Sequence, residues 1–272
     1  MIDLVERAAY ERREVAADDV DGSSRRVSWG IAVETPVQVS LNGEPWTVML
    51  ASPADLEDLA IGLAVTERVL LDHRAVERIV ISEFLNDIAL DITVGANAID
   101  RNAQRARSLV SSTACGLCGI ESLAQLQQRT AAVRGESRIT VTDASLRRAF
   151  ASLHMHQPVN EVTRSVHAAA WCTLDGDISL AREDVGRHNA LDKLIGALAR
   201  AHRLDEPGFI VMSSRCSYEL VYKAATANTQ LLATISAPTS MALSWARALN
   251  LPLACHAGRG SIVRFDEEQA SG

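Results

Sequence analysis

The chain has 272 residues, 47% hydrophobic and 22% charged, which is enough to bury a sizeable core and too apolar for wholesale disorder. Aromatics make up only 4%, so that core is built from Leu, Val, Ile and Ala. Lys+Arg 27 against Asp+Glu 34 leave a formal net charge of -7, which argues against broad nucleic-acid binding, a task that needs a positive surface.

The opening segment carries no apolar stretch of signal-peptide length, and no long uncharged apolar run occurs anywhere. Neither a secretory leader nor a membrane helix is predicted. Five cysteines, Cys115, Cys118, Cys172, Cys216 and Cys255, make an odd, sparse set that suits a reducing cytoplasm better than a disulfide scaffold.

In chain order, residues 1–27 are polar and read as a mobile arm. Residues 28–105 read as a small α+β unit. In it, Pro36–Leu41 and Trp46–Leu50 flank Asn42-Gly43, a strong hairpin signal. Ser52-Pro53 then predicts a helix start, with Ser52 as cap and Asp55, Glu57 and Asp58 at its positive end, running to about Leu71. Strands follow at Val76–Ser82 and Ile88–Val94. A polar connector bearing Arg101, Arg105 and Arg107 leads into residues 106–272.

That second part begins with Cys115-Gly-Leu-Cys118 and a helix over about Ile120–Ala132. A further helix spans Asp143–His154, with Asp143 as its candidate cap. Strand-type alternation covers Val162–Leu174 and Ile178–Ala181. Helices at about Arg187–Arg203, Ser217–Thr229 and Thr239–Leu249 then alternate with strands at Phe209–Ser213, Leu231–Ser236, Leu251–Cys255 and Ser261–Phe265. Such alternation indicates a parallel or mixed sheet flanked by helices, an α/β fold overall.

Cys115-Gly-Leu-Cys118 is the sharpest chemical signal. A helix beginning just after it would favour the thiolate, the nucleophilic form. The pair suits a redox dithiol, half a zinc site or a sulfur relay; its plain alternative is two small residues in a tight turn. Zinc lacks two further ligands at a suitable spacing, and the polar residues before the motif do not resemble a thioredoxin-type strand.

The second signal is Ala181–Lys193, in which eight of thirteen residues are charged or polar. It reads as a polar network supporting a site, or else as a helix cap with ion pairs. Ser213–Glu219, Ser236–Ser240 and Cys255–Gly260 each end a strand, where α/β sheets bind ligands and helix N-termini attract phosphate. Each alone is a helix cap or turn; their recurrence raises the functional reading. His167, in an apolar strand, reads as a core histidine.

Together Cys115-Gly-Leu-Cys118-Gly, Arg182–Lys193, Ser213–Lys223 and Ser236-Ala-Pro-Thr-Ser240 closely resemble the FdhD family, accessory sulfur carriers for formate dehydrogenase. The resemblance covers roughly residues 30 to 265. It implies a cytoplasmic sulfurtransferase that receives sulfur from a cysteine desulfurase and passes it to the molybdenum cofactor, in the form of bis-molybdopterin guanine dinucleotide. It also implies a cytidine deaminase-like second part without zinc chemistry, and a homodimer; the acidic charge and the lack of long apolar runs already speak against nucleic-acid and membrane partners. By position, Cys115 matches the persulfide-bearing cysteine and Cys118 its partner. Ala254, Cys255, His256, Ala257, Gly258 and Arg259 match the cofactor-binding stretch. Where the family usually has Gly-Gly, this chain has Arg164-Ser165. The competing readings are a cofactor-binding chaperone without sulfur transfer and a dithiol oxidoreductase.

Overall fold

The computed structural model describes residues 8–70, 72–101, 103–104 and 139–265. Cys115, Cys118 and the helix predicted at Ile120–Ala132 lie outside the described residues.

The predicted arm contains structure. Strands β1 (Tyr10–Asp18) and β2 (Ser24–Ala32) pair antiparallel from Tyr10↔Ala32 to Asp18↔Ser24. Both faces of this ribbon are largely exposed, so it lacks the apolar alternation by which a half-buried strand announces itself. The turn is closed locally: the Gly22 amide donates to the Asp19 carbonyl, and the Ser23 amide and hydroxyl to the Asp21 carboxylate.

Next comes a four-stranded sheet in the order β4-β3-β6-β5, made by β3 (Thr35–Leu41), β4 (Glu44–Ala51), β5 (Val76–Glu83) and β6 (Ile88–Val94). Asn42 and Gly43 both have positive φ, 51° and 78°, as the predicted tight turn requires. Asn42 also accepts from the Val94 amide and donates to its carbonyl. Helix α1 (Leu56–Thr66) lays Leu59 and Leu63 on Val37, Val39, Leu90 and Ile92, all buried. It starts three residues later than the Ser52-Pro53 pattern predicts. Asp55 takes the cap position in a left-handed conformation, because Ser52 is bound elsewhere.

The second sheet has the order β12-β11-β10-β9-β7-β8. Its strands are β7 (His167–Cys172), β8 (Ile178–Asp184), β9 (Phe209–Met212), β10 (Leu232–Thr234), β11 (Leu253–His256) and β12 (Ile262–Arg264). Strands β9, β10 and β11 run parallel; β7 opposes β9, and β8 opposes β7. Helix α2 (Asp143–Ser152) covers one face, with Leu146 and Ala149 against Phe209 and Val211. Thr142, not Asp143, caps it, accepting from the Ser145 amide at 3.0 Å. The other face carries α4 (Arg187–Arg200), α5 (Tyr218–Thr226) and α6 (Ser240–Ala248), packed through Leu191, Leu194, Leu220 and Val221.

Part of the strand predicted at Val162–Leu174 is a short helix instead, α3 (Pro158–Thr163). Pro158 suits a first helical turn, and the Glu183 carboxylate accepts from the Val159 and Asn160 amides, both at 2.9 Å. This cap comes from a distant strand and leaves no local trace. Arg164 ends α3 at φ 55°, the left-handed region that favours glycine. We expect Arg164→Gly to stabilise the protein by up to about 1 kcal/mol, read from urea midpoints; a loss of stability would show that the Arg164 side chain contributes more than its backbone costs.

The architecture is thus mixed α/β with helices flanking mixed sheets. No helix among the described residues is long and apolar enough to cross a membrane.

Candidate functional site

Because β8, β9, β10 and β11 point the same way, their carboxyl ends share one edge of the second sheet. The start of β7 joins them there. The polar segments singled out in the sequence gather along this edge.

Most of the Arg182–Lys193 block turns inward, toward the first unit. Lys193 and Asp184 are wholly buried, 2.6 Å apart. Lys193 Nζ also donates to the Ser52 carbonyl at 3.0 Å. Asp184 accepts from the Ser52 and Gly186 amides and the Asn189 side chain, and the Val185 amide donates to the Ser52 hydroxyl. That is why Ser52 does not cap α1. Asp58, buried in α1, accepts from Arg182 at 2.8 Å and Arg200 at 2.7 Å. Lys223 donates to Asp192, Thr66 and Glu67 within 3.0 Å. Burial raises the pKa of Asp192, opposed by Lys223 and Thr66. These side chains bind α1 and its entry loop to α4, β8 and α5.

Ser52, Asp58 and Thr66 were missed as partners of this block. The available signal was a carboxylate within the apolar run Leu56–Ala64.

A different group faces the edge itself. His188 Nε2 lies 2.8 Å from Glu219 Oε2, joining the first turns of α4 and α5, and 3.4 Å from the Ser217 hydroxyl. His167 stands nearby, half-buried; burial first, then the charges of Arg187 and His188, hold its pKa below the ordinary imidazole value. Arg187 makes no hydrogen bond or ion pair to any described residue, and its Nε is buried.

The other strand ends are mostly self-satisfied. The Ser213 hydroxyl accepts from the Ala168 amide, Thr234 donates to the Ser236 carbonyl, and Thr239 caps α6 by accepting from the Ala242 amide. Of the stretch Ala254–Arg259, Ala254 and Cys255 are core residues of β11. His256 meets the Phe150 ring edge-on at 5.7 Å. Ala257, Gly258 and Arg259 are exposed on the turn into β12, where Gly258, Arg259 and Gly260 all have positive φ.

The three described cysteines are poor nucleophiles. Burial pushes the thiols of Cys172 and Cys216 up to about 12 and raises that of Cys255. Among the described residues, no group of three or more His, Cys, Asp or Glu side chains is placed to hold a metal ion.

The sequence profile of the FdhD/NarQ family matches residues 32–270. The chain belongs to the FdhD/NarQ family. "Sulfur carrier protein FdhD" of Xanthomonas campestris pv. campestris (strain B100) is 44% identical over 249 residues, 91% of this chain and 88% of the relative. The FdhD protein of Chromobacterium violaceum is 42% identical over 247 residues, 90% and 92%. The crystal structure of a proposed formate dehydrogenase accessory protein from Desulfotalea psychrophila superposes with a TM-score of 0.73, covering 95% of this chain and 97% of that one. At 17% identity this last likeness concerns the fold. The sequence resemblance to FdhD is therefore borne out, and the inward-facing Arg182–Lys193 block gives one of its motifs a structural role.

Proposed function

We propose that this chain is a sulfur carrier for formate dehydrogenase. Cys115 takes sulfur from a cysteine desulfurase and delivers it to the molybdenum cofactor, bound as bis-molybdopterin guanine dinucleotide, before the cofactor enters the dehydrogenase. The supporting observation is kinship at 44% identity with proteins named sulfur carriers. The described cysteines add to it by elimination: Cys172, Cys216 and Cys255 are buried with raised thiol pKa values. That leaves Cys115 and Cys118 to react.

In the loading step, the Cys115 thiolate attacks the outer sulfur of the desulfurase persulfide. The sulfur–sulfur bond there breaks, the desulfurase cysteine departs as thiolate, and Cys115 becomes the persulfide. Cys118 is assigned to later release of that sulfur. The exposed turn at Ala257–Arg259 and the strand-end amides are the proposed cradle for the cofactor's nucleotide. A cytoplasmic homodimer with a cytidine deaminase-like second sheet belongs to the same proposal.

The test is intact-protein mass spectrometry after incubation with a cysteine desulfurase and cysteine. Wild type is expected to gain the mass of one sulfur atom and Cys115→Ala none, with Cys118→Ala still loaded. No gain in wild type that still binds the cofactor would favour a chaperone, and turnover of a Cys115–Cys118 disulfide without sulfane sulfur would favour a dithiol oxidoreductase.

A further inference from the structure

We propose that the cavity at the amino edge of the second sheet is a binding site for a linear polyamine. It lies at the opposite edge from Ala257–Arg259 and does not depend on the sulfur-carrier reading.

Helices α4 and α5 each leave the carboxyl edge of the sheet and run back to its amino edge, where their C-termini meet that of α1. With the 3-10 turn His73–Ala75 these ends enclose a cavity of about 700 Å³, a size that suits a small organic molecule. After each helix the chain turns through a left-handed residue that lines the cavity: Arg68 at φ 57°, His202 at 56° and Asn228 at 58°. Glycine is the least strained residue at such a position, so Arg68 and His202 hold their side chains here at a backbone cost.

The charge of the cavity selects the ligand. Arg74 is held by both carboxylate oxygens of Asp72, so that pair cancels. Arg68 is then set against Asp100 and Asp205, and three helix C-termini each add roughly half a negative charge. The balance calls for a cation. Among the described residues no three His, Cys, Asp or Glu side chains are placed to hold a metal ion, so the cation is organic. Val65, Leu70, Leu204, Ala225 and Ala227 supply an apolar wall for a hydrocarbon chain. Asp100, which also accepts from the Ala103 amide, comes from the first unit and Asp205 from the second. Two carboxylates of separate origin suit a chain with an ammonium at each end.

His73 and His202 line the same cavity. Burial holds His73 below the ordinary imidazole value, aided by Arg74 and His202 and opposed by Asp72 and Asp205. It is therefore neutral at neutral pH and repels a cation only in mildly acidic solution.

The test is calorimetric titration of the full-length protein at about pH 7.5 with spermidine and, as a single-charge comparison, N-acetyl-lysine amide. Wild type is expected to bind one spermidine per chain, and the amide about fivefold more weakly. Asp205→Asn should weaken spermidine about tenfold. Thr226→Lys, which sets an ammonium in the cavity, should abolish binding; a cation suits this helix end, so the variant should keep the wild-type melting temperature. Asp87→Asn removes the same charge from an exposed turn and should change nothing. Binding by wild type should weaken at about pH 5.5, and His73→Gln with His202→Gln should remove that dependence.

Several equivalents bound, with the same loss in Asp87→Asn as in Asp205→Asn, would overturn the site, as would equal spermidine affinity of wild type and Thr226→Lys. Tighter binding of the amide than of spermidine would overturn the polyamine in favour of a lysine side chain. Binding of inorganic pyrophosphate in place of spermidine, lost in Arg68→Met, would overturn the sign of the charge.

Discussion

Lys193→Met is expected to destabilise the protein by about 3–5 kcal/mol, the range for breaking a buried ion pair from one side. Lys193 and Asp184 are wholly buried at 2.6 Å, so losing the ammonium strands a carboxylate that cannot reach water. Three donors remain on Asp184, from Ser52, Gly186 and Asn189, and they soften the loss without replacing the charge. Since typical domains hold only about 5–15 kcal/mol in total, the effect should be obvious in urea denaturation. Adding Asp184→Asn to Lys193→Met should restore part of the stability, because the stranded charge is then gone. A loss under about 1 kcal/mol, the scale of an exposed pair, would refute the account of this pair as the buried anchor on which Ser52 is held.

The same pair explains why this region could be only half read from the sequence. The block Arg182–Lys193 is conspicuous as a local concentration of charge, but its meaning depends on Ser52, Asp58 and Thr66, which lie more than a hundred residues earlier in the chain. Seen locally, Ser52 before Pro53 is a helix cap, and the block is equally a site support or a capped helix. Asn42-Gly43 is legible because its information is local: two adjacent residues that tolerate positive φ make the turn. The β1–β2 hairpin was illegible for the opposite reason, since neither of its faces is consistently apolar. Arg187 and His188 stood out as residue types, yet only the fold distinguishes them from their inward-turned neighbours. Cys115 and Cys118 were the clearest chemical signal of all, and their assignment rests on family kinship and thiol chemistry.

Gly196→Ala is expected to cost about 3 kcal/mol, against the ordinary rule for helices. On an exposed helix face, exchanging glycine for alanine gains about 1 kcal/mol. Here α1 and α4 cross backbone to backbone: a Cβ on Gly196 would lie 1.9 Å from the Asp58 carbonyl oxygen, and one on Gly62 would lie 1.7 Å from that of Asp192. No side chain can swing aside, because the obstructing atoms are main chain. The helices would have to separate by more than an ångström. That movement would stretch the Asp58 bonds to Arg182 and Arg200 and the Thr66 bond to Asp192, which are 2.7–2.8 Å long. Overpacking of this kind usually costs about 1–3 kcal/mol, and the coupled loss of buried polar contacts places Gly196 at the upper end. Urea midpoints of Gly196→Ala and Gly62→Ala, alone and together, decide the matter. Because one separation of the helices accommodates both methyl groups, the double variant should lose clearly less than the sum of the singles. A gain in stability from either single variant would mean that the crossing yields easily, and the two units would then not be held together at this point.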